Sequence, residues 1–302
     1  VNNFELAIKE NTKYLKSDTY NYMFRYSDGY FLRWGETPKD DPEFSPYGPE
    51  IADIEVSTIC HRGCKFCYKA NTGVGENMSF ETFKTVFHKL PKTLTQIAFG
   101  IGSFSAIQPE LEKMFEYCRN NDYNIVIPNL TINGKDMEAE DYDLVAKYCG
   151  ACSVSRYAPY NDCYTAIKEL RQRGMKQVNI HQVLAKETFQ ECIQLLVDYK
   201  ENKDGLKDNV NAIVFLALKE KGRATGEEGW HSLKDTFLMK ALLDFAVSNK
   251  LNIGFDSCNG PTILKIAQED QKFKNLIPCI DPCESLRFSI YINVVGIAEK
   301  RV

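Results

Sequence analysis

Along the middle of the chain, from about residue 50 to 255, short runs with a two-residue apolar period give way repeatedly to longer stretches with a helical stripe. Ile51-Ala52-Asp53-Ile54-Glu55-Val56 alternates and predicts a strand. Ser79 then stands at a helix N-cap position, and Phe80, Phe83, Val86, Phe87 and Leu90 are spaced along one face before Pro91 ends the helix. Leu94 to Phe99 predicts a second strand, followed by a helix that opens at Pro109 and carries Leu111, Met114, Phe115 and Cys118. Four more strands are expected, at Tyr123 to Pro128, Gly150 to Ser155, Gln177 to Leu184 and Asn211 to Leu218. Their helices are expected at Glu138 to Tyr148, Asp162 to Arg173, Glu187 to Tyr199 and Ser232 to Ser248. Leu251 to Phe255 reads as a short further strand.

Parallel strands joined by right-handed helical crossovers roll into a full or partial barrel. The expected fold is therefore α/β, a partial (β/α)6 TIM-like barrel over residues 50–256. Residues 1–49 form an N-terminal extension in this reading, with a β-hairpin around Asp28-Gly29, and residues 257–302 a small cysteine-containing C-terminal appendage. In such barrels the loops at the carboxyl ends of the strands build the site.

Composition changes this picture little. The 302 residues carry 37 basic and 41 acidic side chains, a net charge of −4, which offers no polyelectrolyte footprint for nucleic acid but does not exclude it. No apolar run is long enough to span a bilayer and no secretory leader is evident, so the expectation is a soluble, cytoplasmic protein without a membrane partner. Eleven cysteines would suggest a disulfide framework only in a small exported domain. Cys118, Cys149, Cys152, Cys163 and Cys192 instead lie in or beside apolar patterns and are read as packing thiols.

The informative cysteines are Cys60, Cys64 and Cys67, spaced C-x3-C-x2-C in the loop that follows the first barrel strand. Three thiolates leave one position of a [4Fe–4S] cube open to a small molecule. Zinc is the alternative, but it would need a fourth ligand; there is no second C-x2-C knuckle, and His61 adjoins Cys60 too closely to serve the same metal.

With Phe66 placed just before the last cysteine, the motif resembles that of the radical S-adenosylmethionine (radical SAM) superfamily, and the resemblance extends over nearly the whole chain. It implies that the open iron binds S-adenosylmethionine (SAM), and that an electron from the reduced cluster releases a 5′-deoxyadenosyl radical that takes hydrogen from a substrate. It also implies cofactor-side roles for Phe66 and Tyr68, which flank the last cysteine. Gly100, Ile101, Gly102 and Ser103 resemble the family's segment for the methionine amino group, although an acidic residue and proline are usual where Ser103 and Phe104 stand. Asn129, Thr131 and Asn133 resemble a polar run after strand three. Ser153 and Ser155 resemble a polar pair on strand four, with Arg156 as a carboxylate partner. His181 or Val183 on strand five, and Arg223 after strand six, complete the set of expected cofactor neighbours; no catalytic residue is assigned.

Cys258, Cys279 and Cys283 resemble the start of the SPASM/twitch motif that binds an auxiliary cluster in peptide-modifying relatives. The resemblance is incomplete, because Arg301 occupies the position of a further cysteine. A second iron–sulfur cluster and plain structural thiols both stay open. The leading functional expectation is a radical SAM enzyme reduced by a flavodoxin or ferredoxin, with a peptide or protein substrate slightly favoured. A nucleotide, RNA or small-metabolite substrate is the alternative, and a non-catalytic iron–sulfur module is a third reading.

Overall fold

The computed structural model describes residues 3–102, 104, 108–225, 229–281 and 283–299. Two sheets organise these residues. The first is antiparallel: β1 (Glu5–Lys9), β2 (Thr12–Lys16), β3 (Asn21–Arg25) and β4 (Phe31–Trp34), in that spatial order. The expected hairpin around Asp28-Gly29 is β3–β4, but a second hairpin precedes it. The additional turn at Glu10-Asn11 has both residues at positive φ, 47° and 61°, the geometry that matches the twist of a tight hairpin.

The second sheet contains the barrel strands β5 (Ile51–Glu55), β6 (Gln96–Gly100), β7 (Ile127–Ile132), β8 (Cys152–Ser155), β9 (Val178–Leu184), β10 (Ala212–Ala217) and β11 (Ile253–Phe255). Neighbours in this series pair in parallel, giving an open barrel. The helices between them are α1 (Phe80–Lys89), α2 (Leu111–Arg119), α3 (Ala139–Tyr148), α4 (Asn161–Gln172), α5 (Phe189–Lys200), the short α6 (Leu206–Asn209) and α7 (Thr236–Ser248). Ser79 caps α1 as expected, its hydroxyl accepting from the Thr82 amide at 3.1 Å. The cap of α7 is Asp235, which accepts from the Phe237 and Leu238 amides at 2.8 and 3.1 Å, so this helix starts later than Ser232.

Two expectations change. Strand three was expected at Tyr123 to Pro128, but β7 runs from Ile127 to Ile132, because Asn121 turns the chain through bonds to the Tyr123 and Asn124 amides at 2.8 Å each. The C-terminal segment is also less separate than expected. After α8 (Gly260–Glu269), β12 (Ser289–Ile292) pairs in parallel with β5, and β13 (Ala298–Glu299) pairs antiparallel with β12. Residues 289–292 therefore extend the barrel sheet on the side of its first strand.

The main core joins strand residues such as Ile54, Ile97, Val154 and Ile180 to helix residues such as Phe83, Phe115, Leu170 and Leu196, all fully buried or nearly so. Burying such side chains supplies about 2 kcal/mol each and drives the alternating pattern into this arrangement. The N-terminal sheet packs Leu15, Tyr20, Tyr22 and Phe24 with Ile127 and Phe288. Buried Lys13 donates to the Lys92 and Leu94 carbonyls and to Asn124 at 3.0, 2.7 and 2.7 Å, groups that precede β6 and β7. This sheet thus covers the amino ends of barrel strands and leaves their carboxyl ends to the cysteine loop. No helix among the described residues is long and apolar enough to cross a membrane.

Candidate functional site

The loop bearing Cys60, Cys64 and Cys67 leaves the carboxyl end of β5. Its first part is set by the chain itself: the Val56 amide donates to the Gly100 carbonyl at 3.0 Å, and the Cys60 amide to the Thr72 carbonyl at 2.7 Å. The Cys67 amide returns to the Cys64 carbonyl at 3.2 Å. Gly63, at φ +68°, makes a turn that a side chain would strain. Gly102 lies against this loop so closely that a β-carbon there would meet Cys60 Cβ at 2.5 Å and the Ile59 carbonyl at 2.6 Å.

Long side chains then hold the loop from outside. Arg62 pairs with Asp162 at the start of α4 and donates to the Tyr157 carbonyl at 2.8 Å. Lys135 donates to the His61 carbonyl at 3.2 Å. Arg223, in the segment after β10, donates to the Cys64 and Asn71 carbonyls at 2.8 Å each, and its own amide donates to the Cys67 carbonyl at 3.0 Å. Phe66 packs between Tyr157 and Trp230, with ring centroids 5.0 and 4.9 Å away.

The three thiols face a cavity of about 400 Å³, a volume suited to one small cofactor and part of a substrate. Of the residues singled out from sequence, Phe66, Tyr68, Gly100, Ile101, Gly102, Thr131, Asn133, Ser155, His181 and Val183 also line it. Asn133 is oriented by donating to the Gly102 carbonyl at 2.6 Å. His181 and Val183 share the cavity face of β9, as residues two apart in a strand must. Burial pushes the Tyr157 hydroxyl up to about 12, so it stays protonated in the wall beside Ser155.

Other expected residues stand elsewhere. Asn129 is bound within the sheet, donating to Gln96 at 2.7 Å and accepting from the Ala151 amide at 2.9 Å. Ser153 is not in the cavity wall. Arg156 is buried outside it, donating to Tyr164 and Gln182 at 2.9 and 3.0 Å and stacking on Tyr160 at 3.7 Å. Arg223 likewise holds backbone rather than facing the cavity. Ser103 lies outside the described residues, as does Arg301. Cys258, Cys279 and Cys283 are all exposed; Cys258 and Cys283 line the cavity wall and Cys279 does not.

Several cavity residues escaped the sequence reading. Glu55, at the end of β5, pairs with Lys69, and Tyr291 of β12 lies 2.8 Å from both a Glu55 oxygen and the Lys69 ammonium. Asp256 accepts from the Ala217 amide at 3.1 Å and from Asn259 at 2.8 Å, and burial raises its carboxyl. Alternation in β5 could have indicated Glu55; nothing local indicates Tyr291, whose partners are more than two hundred residues away.

The thiols fit an iron–sulfur cube better than a single ion. Among the described residues no three His, Cys, Asp or Glu side chains converge on one point as a mononuclear centre needs. A cube instead takes each thiolate on a different iron, so the sulfurs need only surround a common space. Cys60 and Cys67 lie near enough for their charges to raise Cys64, which burial has already pushed up, to about 11 overall; Arg62 and Arg223 oppose that rise. The five packing cysteines differ: all are buried, and burial holds their thiols well above the ordinary range.

No protein-family model and no curated protein matches the sequence. Solved structures do match the fold. SuiB of Streptococcus suis aligns over 97% of this chain and 82% of its own, with TM-score 0.65 and 12% identity. The maturase of the FeFe-hydrogenase, HydG of Carboxydothermus hydrogenoformans, aligns over 83% of this chain and 60% of its own, with TM-score 0.56 and 12% identity. The enzyme anSMEcpe, seen with bound AdoMet and a peptide, aligns over 72% of this chain and 66% of its own, with TM-score 0.55 and 16% identity. The chain thus spans less than two thirds of the length of HydG and of anSMEcpe. All three are radical SAM enzymes. With eight parallel strands in one open sheet and a three-cysteine loop at the carboxyl end of β5, the chain has the radical SAM fold.

Proposed function

We infer that this chain is a radical SAM enzyme that modifies a peptide or protein at an unactivated C–H bond. The observation that carries the reading is the position of Cys60, Cys64 and Cys67. They stand at the carboxyl end of the first barrel strand and face the same cavity as Gly100 to Gly102, Thr131, Asn133, Ser155 and His181. A [4Fe–4S] cluster with SAM, once bound, would supply the 5′-deoxyadenosyl radical, and Cys60, Cys64 and Cys67 would hold three of its irons.

The rest of the wall has physical tasks of its own. Gly100 and Gly102 line the wall with backbone alone, Gly102 packing directly on Cys60; Asn133 and Ser155 offer fixed polar contacts. Phe66, wedged between Tyr157 and Trp230, is a rigid aromatic surface beside the last thiol. Phe99, Ile132, Val183 and Leu216 make the floor apolar, which keeps water from a reactive intermediate. The far wall, with Asp256, Ser285, Ser289 and Tyr291, is where a substrate would lie.

The peptide substrate is supported by likeness in fold to SuiB, which has been seen bound to its precursor peptide SuiA, and to anSMEcpe, seen with a peptide. SAM as cofactor is supported by the AdoMet and S-adenosylmethionine complexes of the same two proteins. A flavodoxin- or ferredoxin-class carrier in the cytoplasm would supply the electron. Cys258 and Cys283 in the wall keep an auxiliary cluster within the proposal, although Cys279 does not line the same cavity.

The test is anaerobic reconstitution with iron and sulfide, followed by reduction with SAM present. Release of 5′-deoxyadenosine is expected, and deuterium passing into it from a labelled peptide would identify the substrate position. A loaded protein that never cleaves SAM would overturn the enzymatic reading. Deuterium transfer from a nucleotide or metabolite, but from no peptide, would overturn the substrate class.

A further inference from the structure

We propose that Arg223 is a positioning residue that holds the cysteine loop in its cluster-ready shape and raises the reduction potential of the cluster; this rests on the iron–sulfur reading above. Two features of the segment after β10 carry the proposal. The first is geometric. The guanidinium of Arg223 spans the loop, with Nε on the Cys64 carbonyl and Nη1 on the Asn71 carbonyl, both at 2.8 Å, while the Arg223 amide takes the Cys67 carbonyl at 3.0 Å. Two of the three cysteines thus have their backbone fixed by one residue more than 150 positions away in sequence.

Gly222 makes this approach feasible. It adopts φ +58°, and a β-carbon on it would meet the Tyr68 carbonyl at 2.4 Å and the Cys67 carbonyl at 2.6 Å. Only glycine brings the segment this close. Trp230, farther along the same segment, packs on Phe66 at 4.9 Å. The segment therefore grips the loop at its backbone and at the aromatic residue between two thiols.

The second feature is charge. Three thiolates on one loop repel one another, and reducing a cluster adds a further negative charge to the same place. A fixed cation favours the reduced state, most of all where water is excluded. The Arg223 guanidinium reaches the Cys64 carbonyl at 2.8 Å, and Arg62 stands two residues before Cys64. Arg62 pairs with Asp162, whereas the Arg223 guanidinium is bonded to carbonyl oxygens and has no carboxylate partner among the described residues. A planar guanidinium can bridge two carbonyls at once; an ammonium can supply the charge but not that span.

These two roles separate in substitutions. The experiment compares wild type, Arg223→Lys, Arg223→Gln and Gly222→Ala after anaerobic reconstitution without SAM. It measures iron per chain, the rate of iron loss to a chelator and the cluster potential by redox titration followed by electron paramagnetic resonance. Arg223→Gln is expected to lower the reduced-to-oxidised ratio at fixed potential about tenfold, or about 59 mV for one electron, and to lose iron faster. Arg223→Lys is expected to keep the potential near that of wild type while losing iron at the faster rate. Gly222→Ala is expected to lose iron faster with its cation retained.

An Arg223→Gln protein with unchanged potential overturns the electrostatic role. Unchanged iron retention in both Arg223→Gln and Gly222→Ala overturns the positioning role. Hydrogen exchange of residues 60–68 in the iron-free proteins keeps the second role testable if a variant loads poorly: faster exchange than wild type supports it, equal exchange overturns it. Failure of wild type itself to take up iron and sulfide would instead overturn the family reading, a distinguishable result.

Discussion

Tyr291 and Glu55 meet across the seam between β12 and β5, the tyrosine hydroxyl donating to the carboxylate at 2.8 Å. Lys69, two residues past Cys67, completes the group by pairing with Glu55. Burial and the neighbouring carboxylate both raise the tyrosine, so it remains a neutral donor over the physiological range. Tyr291→Phe should cost about 1 kcal/mol of stability, because it removes a donor to Glu55 and an acceptor from Lys69 but leaves that ion pair in place. Glu55→Ala should cost more, about 2 kcal/mol, because it leaves the largely covered Lys69 ammonium without its counter-charge. Urea midpoints measure both, and equal losses would contradict the central place given to Glu55.

Iron content should discriminate between the two populations of cysteine. Cys64→Ala is expected to abolish stable cluster loading and 5′-deoxyadenosine release together. Cys118→Ala, in the core beside Met114 and Phe115, is expected to leave iron per chain unchanged at a cost of about 1 kcal/mol. A Cys64→Ala protein that still releases 5′-deoxyadenosine would remove the basis of the functional reading.

Gly102→Ala tests how tightly the second barrel loop packs on the first. The added methyl would have to displace Cys60 Cβ or the Ile59 carbonyl, both within 2.6 Å. Overpacking of this kind costs about 2 kcal/mol. Because the displaced atoms carry the first thiol, iron retention should fall as well; a stable variant with full iron would show that the loop can move aside.

The interface between the N-terminal sheet and the barrel should respond to pH through two buried groups with opposite signs. Burial pushes the Glu50 carboxyl up to about 7, so its contribution is whole below about 4.5 and is lost as pH rises through 7. Burial draws the Lys13 ammonium down to about 7 from 10.5; between those values the unfolded chain binds the extra proton, and stability rises with pH. The combined contribution is least near neutrality. Urea midpoints near pH 5, 7 and 9 should show the dip, with Glu50→Gln flattening its acidic limb and Lys13→Met its basic limb.

The barrel was legible because its strands and helices announce themselves within a dozen residues. The apolar face of Phe83, Val86 and Phe87 and the alternation of Ile51 to Val56 each determine an element locally. The three-cysteine loop was legible for the same reason, its thiols lying within eight residues. Residues that act across the fold were not. Arg156 and Arg223 looked like cofactor ligands because guanidinium suits anions, yet both are taken up by groups the sequence could not place beside them: Gln182 and Tyr164 for one, the loop carbonyls for the other. Strand β12 reads as four ordinary residues, and only pairing with β5 gives Tyr291 its place.

That pairing bears on the order in which the chain can assemble. Glu55 and Tyr291 are 236 positions apart, so closing the loop between them carries an entropic cost of about 5 kcal/mol in its length-dependent part. Strands β5 to β10 can add to one another in sequence, each pairing with the one made just before it, whereas β12 must return to the first. The three-thiol loop therefore emerges on a nascent chain long before the wall opposite it exists, and the site is closed by one of the slowest contacts in the fold.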